Sequence, residues 1–110
     1  MLNKLLFLIC LLIFTGNTFA NNVSTAQVKI VSLTNWVSGK TLLVKTDETS
    51  PLNPANCSFG HRYHLAEKTS DISRSLLLSA FMANRPVQLT IYGQGCSSDR
   101  PQIVAVSLPQ

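Results

Sequence analysis

Few side chains in this sequence are able to do chemistry, and their spacing limits what that chemistry is. The acids number five, Asp47, Glu48, Glu67, Asp71 and Asp99. Asp47 and Glu48 are neighbours in a polar stretch, Glu67 and Asp71 flank a helix start, and Asp99 sits among turn formers. None of these placements gives two carboxylates a shared buried cleft for general acid–base work. Serines are plentiful, but none stands in a Gly-x-Ser-x-Gly elbow, and no glycine-rich phosphate loop is present. His61 and His64 are three apart. On a strand that spacing sends them to opposite faces, so they do not share a metal ion. The expectation is a chain that is not an enzyme and carries no cofactor and no metal.

What remains is binding chemistry. Trp36 is the sole tryptophan and lies beside Asn35 and Ser38 in a connecting segment. An exposed indole stacks on the apolar face of a sugar ring, while Asn and Ser supply hydrogen bonds; the same indole folded back would plug the end of the core. Both readings stay open at this point. Arg62 and His64 share one face of an expected strand, suited to an anionic ligand such as sialic acid or to plain solvation. Tyr92 projects from another strand, as a ligand platform or in ordinary strand packing. The formal net charge is +4, but the basic residues are scattered, without a run or aromatic interleaving. That argues against nucleic acid as a partner.

The ends explain where these residues work. Met1–Lys4 is a charged n-region, Leu5–Phe14 an unbroken apolar run, and Thr15–Ala20 a polar stretch ending in Thr18-Phe19-Ala20. This pattern predicts a signal peptide over residues 1–20, cleaved after Ala20, and a single domain over 21–110. The apolar run is too short for a membrane span, which needs about 20 residues. Cys10 follows Ile9 inside that run, not a small residue, so it does not mark a lipoprotein. The protein is therefore expected to be exported, periplasmic or secreted. Loss of Cys10 leaves Cys57 and Cys96, read as one disulfide in an oxidising compartment. A closed loop of about 40 residues contributes about 4 kcal/mol in the chain-entropy model.

The elements follow from patterning. Gln27–Leu33 alternates as a strand whose parity switches near Val31, as a bulge or sharp coil requires. Asn21–Ala26 reads as frayed, Thr34–Lys40 as a connection turning at Ser38-Gly39, and Thr41–Thr46 as a second strand. Asp47–Asn56 reads as a surface loop with nothing to pack, and Phe59–Leu65 as a third strand. Ser70 is a candidate N-cap for a helix over Ile72–Ala83, stopped by Asn84-Arg85-Pro86. Ile72, Leu76, Ala80 and Ala83 form one apolar stripe. Leu77, Leu78, Phe81 and Met82 form a second edge, buried either by another part of the chain or by another subunit. Val87–Gly93 is a strand with Val87, Leu89 and Ile91 inward. Gln94–Gln102 is a turn-rich loop, and Ile103–Leu108 a last strand of ambiguous parity, expected to be covered on both of its faces.

The predicted order, β-β-β-α-β-β in a mainly β chain with one helix, fits a five-stranded barrel of the oligonucleotide/oligosaccharide-binding (OB) kind. A small α+β sandwich is the alternative. The segment Asp71–Gly93, DISRSLLLSAFMANRPVQLTIYG, resembles the helix-then-strand segment of small exported bacterial barrels. Among these are the binding (B) subunits of pentameric toxins of the subtilase-cytotoxin and pertussis-like kind. That resemblance implies self-association into a ring with helices near its axis, a catalytic A subunit-like partner, and binding of host glycans through loops and strand edges. The competing expectation is a monomeric periplasmic or secreted barrel with a structural or inhibitory role toward another protein.

Overall fold

Alternation of apolar and polar residues decides the strands of this protein, and side-chain hydrogen bonds decide where they break. The structure is a computed structural model and describes residues 21–37, 39 and 41–109. The expected leader with Cys10, and Ser38 of the expected turn, lie outside the described residues. The elements are β1 (Val23–Ser24), β2 (Ile30–Asn35), β3 (Leu42–Thr46), β4 (Tyr63–Leu65), α1 (Asp71–Met82), β5 (Gln88–Ser97) and β6 (Arg100–Ser107). The strands form one mixed sheet in the order β1-β5-β6-β4-β3-β2, in which only β4 and β6 run parallel.

The inward residues are those the alternation selects. Val44 on β3, Tyr63 and Leu65 on β4, Leu89 and Ile91 on β5 and Ile103 on β6 are buried, and Leu77 and Ala80 of α1 close over them. The bulge expected at the parity switch is present, as a register shift between Ile30 and Ser32 against β3. At the start of α1 the Ser70 hydroxyl accepts from Ser73 N at 3.3 Å. At its end Asn84 takes φ 51°, with bonds from Asn84 N to Phe81 O and from Arg85 N to Ala80 O. This is a Schellman stop with Asn in the position glycine usually fills.

Several expectations need correction. Six strands replace five, and the sheet lies open with β1 and β2 at its edges, because the stretch from Val23 to Asn35 pairs in two separate pieces. Thr25 N donates to Leu89 O, but the Thr25 hydroxyl takes over from its own carbonyl in accepting Leu89 N. The backbone turns away there and rejoins β5 only at Val28, which exchanges two hydrogen bonds with Val87. Val23 and Ser24, read as frayed, pair with Ile91 and Thr90.

The third strand is only Tyr63–Leu65, because Phe59 is held in a loop by its N–H bond to Asp99 O. The fourth strand runs on to Ser97 and turns through Ser98 and Asp99, with φ 49° and 62°. Positive φ at both central residues is the pattern of a type I′ hairpin loop, here without glycine. On α1 each apolar stripe gives one buried residue, Ala80 from the first and Leu77 from the second. Leu77 is core, which removes it from any interface, while Ile72 is 73% exposed and Ala83 is also exposed. On β6, Val104 is exposed, so that strand is covered on one face.

Candidate functional site

The site is built by a clamp on the outer face of β3 and β4. Cys57 and Cys96 form the expected disulfide, with Cα atoms 5.8 Å apart. It ties the chain leading into β4 onto the far end of β5. Asn53 grips the same point: its Oδ1 accepts from Cys57 N at 2.7 Å and its Nδ2 donates to Cys57 O at 2.9 Å. Gly60 sits against this amide, where an added Cβ would come 2.9 Å from Asn53 Nδ2. Phe59 is thereby fixed beside the β5–β6 turn, with the Arg100 guanidinium over its ring at 5.3 Å.

The result is a cleft of about 180 Å³ lined by Leu43, Phe59, His61, Arg62 and Arg100. Leu43 is its buried floor. Arg100 donates to Ser98 O at 3.1 Å. Arg62 and His61 have no hydrogen-bond or ion-pair partner among the described residues.

His64 does not reach this cleft, contrary to the expected exposed pairing with Arg62. It is 5% exposed, and its Nδ1 lies 2.6 Å from Ser97 Oγ. Burial first, and the nearby Arg100 charge second, lower its pKa below 6.5, so the imidazole is neutral at pH 7. A histidine against a serine hydroxyl is the start of a nucleophilic pair. Among the described residues, however, no carboxylate is hydrogen-bonded to this ring, and neither group lines the cleft.

The loop before the clamp is ordered from within. Tyr63 OH donates to Glu48 Oε1 at 2.8 Å and accepts from Leu52 N at 2.8 Å, while Thr46 Oγ1 also donates to Glu48. Burial, then the Glu48 carboxylate, push the Tyr63 pKa up, so the phenol remains a donor. Leu52 packs on the core. Asp47–Asn56 therefore does pack, against the sequence expectation.

The other expected ligand residues stand apart from the cleft lining. Trp36 is 62% exposed in the β2–β3 loop, so it does not plug the core. Asn35 spends its amide N–H on Thr41 O at 3.2 Å. Tyr92 is half-buried on β5 with its ring 3.6 Å from where a Gly95 Cβ would stand. Sequence reasoning missed Phe59, His61 and Arg100. The signal for them was the cysteine pair itself, which brings the residues after Cys57 to those after Cys96.

Among the described residues no group of three or more His, Cys, Asp or Glu is placed to hold a metal ion. Likewise, no helix among them is long and apolar enough to cross a membrane. Comparison with family models, curated protein sequences and solved structures finds no match to this chain.

Proposed function

We propose that this chain is an exported, non-catalytic binding module with a partly open OB-like fold, resembling a toxin B subunit, and that its ligand is a glycan. The fold reading is supported by continuity of the chain. β1 and β2 are two halves of one stretch, which pairs with β5 in its first part and with β3 in its second. Counted as one strand, it gives five, with α1 between the third and fourth and neighbours in the order 1-2-3-5-4-1. OB folds bind along the face of the second and third strands, between the loop after the first strand and the loop joining the last two. Here those parts are the outer face of β3 and β4, the loop carrying Trp36, and the Ser98-Asp99 turn.

The observation that carries the ligand reading is the clamped cleft on that face. It joins an aromatic ring, an apolar floor and unpaired polar donors, the mixture a sugar ring requires. Export is supported by the disulfide and by the leader pattern of residues 1–20. Ring assembly would use the outer side of α1, where Leu78, Phe81 and Met82 are exposed. The same exposed side favours a second reading, a monomer that docks on another protein.

A glycan array probed with the oxidised protein tests the function. Capture of a defined glycan class supports it, and no capture at any concentration overturns it. Native mass spectrometry separates the assemblies, since a pentamer supports the ring and a monomer leaves the second reading. Leu78→Asp or Met82→Asp is expected to dissociate an oligomer while the monomer stays folded.

A further inference from the structure

The cleft has a charge pattern that narrows its ligand, given the glycan reading on which this inference rests. Two guanidinium groups, Arg62 and Arg100, and the His61 ring stand around one small opening, and no carboxylate lines it. Asp99, next in the chain to Arg100, gives its backbone carbonyl to Phe59 N. Lys45 follows Val44 on β3 and alternates onto the same side as Leu43, adding a further cation to this face. The Arg100 charge is felt as far as the buried His64 ring, whose protonation it disfavours. Like charges gathered without a counter-charge oppose one another, and an anion between them offsets that repulsion.

Shape narrows the class further. The cleft, at about 180 Å³, lies below the roughly 300–1,000 Å³ of sites for larger organic ligands, so it takes one ring or one terminal group. A guanidinium presents a planar fork of N–H donors that matches a carboxylate or sulfate edge. Leu43 and Phe59 supply apolar surface, which a bare inorganic anion does not use.

We propose that this cleft is a subsite for an acidic sugar, its oxyanion held between Arg62 and Arg100 and its apolar C–H face resting on Leu43 and Phe59. The shared chemistry is an oxyanion on a pyranose ring, whether a carboxylate or a sulfate ester. The disulfide makes the subsite possible, because Phe59 belongs to the segment it clamps.

The test is an NMR titration of the isotope-labelled oxidised protein, following the His61 ring and the Arg62 and Arg100 side-chain N–H signals. The probes are methyl glucuronide, galactose 6-sulfate, neutral methyl galactoside and inorganic sulfate. An acidic sugar is expected to bind at least about tenfold more tightly than the neutral one, the factor expected from one charge-assisted hydrogen bond. Preference for the glucuronide identifies a carboxylate source, and preference for the sulfate ester a sulfated one. Arg62→Gln is expected to weaken the acidic sugar about tenfold and the neutral one by a much smaller factor, since Gln keeps a neutral donor and loses the charge. This variant is decisive, because Arg62 has no partner among the described residues whose loss would disturb the fold. Arg62→Lys should recover only part of the affinity, as it restores charge without the fork. Phe59→Leu should weaken both acidic sugars and leave sulfate unaffected.

Equal binding of acidic and neutral sugars, an unchanged affinity in Arg62→Gln, or inorganic sulfate binding as tightly as either acidic sugar overturns the proposal. A neutral glycan captured equally by wild type and Arg62→Gln leaves the binding-module reading intact and removes this subsite. Acidic monosaccharides bound at Arg62, with no glycan captured on the array, keep the subsite and remove the broader reading.

Discussion

Two loops join the strands of the candidate site, and their order is opposite to their apolar content. The β2–β3 loop carries Trp36 and Val37, yet both project into solvent. The loop from Asp47 to Asn56 is mostly polar, yet Pro51 to Ala55 are half-buried and Leu52 reaches the core. The difference lies in how backbone groups are satisfied. Glu48, Asn53 and the Tyr63 phenol bond inward to Leu52 N, Cys57 and one another, whereas among the described residues the Trp36 loop is closed by Gly39 N to Trp36 O and the Asn35 amide to Thr41 O, neither reaching the core. A loop becomes part of a fold when its polar groups find partners inside it; a large apolar side chain alone does not bring it there.

That contrast can be broken most severely at the disulfide. Replacing Cys57 and Cys96 by Ala is expected to cost up to about 4 kcal/mol, from the entropy of the loop the bond closes. Urea unfolding with and without a thiol reductant reads this directly; equal midpoints would mean that the clamp adds no stability. Tyr63→Phe comes next, at about 1.5–3 kcal/mol, because it strips a donor from Glu48 and leaves Leu52 N–H without its acceptor. Asn53→Ala should cost about 1–2 kcal/mol by removing both bonds to Cys57. In each of these two variants, hydrogen exchange should rise in the Asp47–Cys57 loop first; a rise spread evenly over the sheet would count against loop-specific order.

His64 sharpens the comparison through pH. Its folded pKa is lowered, so the unfolded chain takes up a proton at higher pH than the folded one. Stability is therefore full above the unfolded value of about 6.5 and falls as the pH drops below it toward the folded value. His64→Gln should show a smaller loss of urea midpoint between pH 7 and pH 5 than wild type; parallel losses would count against the assignment. The smallest effect belongs to the exposed loop. Trp36→Ala should change stability by less than about 0.5 kcal/mol, and a larger loss by thermal melting would show that the indole packs.

Much of the architecture was legible in the residues. The alternation of Val87, Leu89 and Ile91, the Ser70 cap, the Asn84-Arg85-Pro86 stop and the Cys57–Cys96 pair each report a local rule that the fold obeys. The misreadings are non-local. No periodicity marks Leu77 rather than Ile72 as a core residue of α1, because both lie on apolar edges and only the sheet beneath selects between them. His64 reads as outward by parity, and it is covered because a hairpin end 33 residues later lays Ser97 against it. The hairpin itself went unread because Ser98-Asp99 takes left-handed geometry without the glycine that advertises it. The site residues followed the same rule, since Phe59 and Arg100 meet through the disulfide and the Phe59 N–H bond to Asp99 O, across about 40 residues of chain.

The interrupted first strand also bears on how quickly the protein reaches its native form. β1 pairs with residues far along the chain, as Ser24 does with Thr90 across 66 positions. Contacts of such long sequence separation form late and slow folding toward the millisecond-to-second range. Until that strand docks, the edge of β5 offers its unpaired backbone groups to any passing chain. A newly made molecule thus passes through an interval in which stickiness, not instability, is its main hazard, and conditions that hasten docking of β1 should raise the yield of native protein.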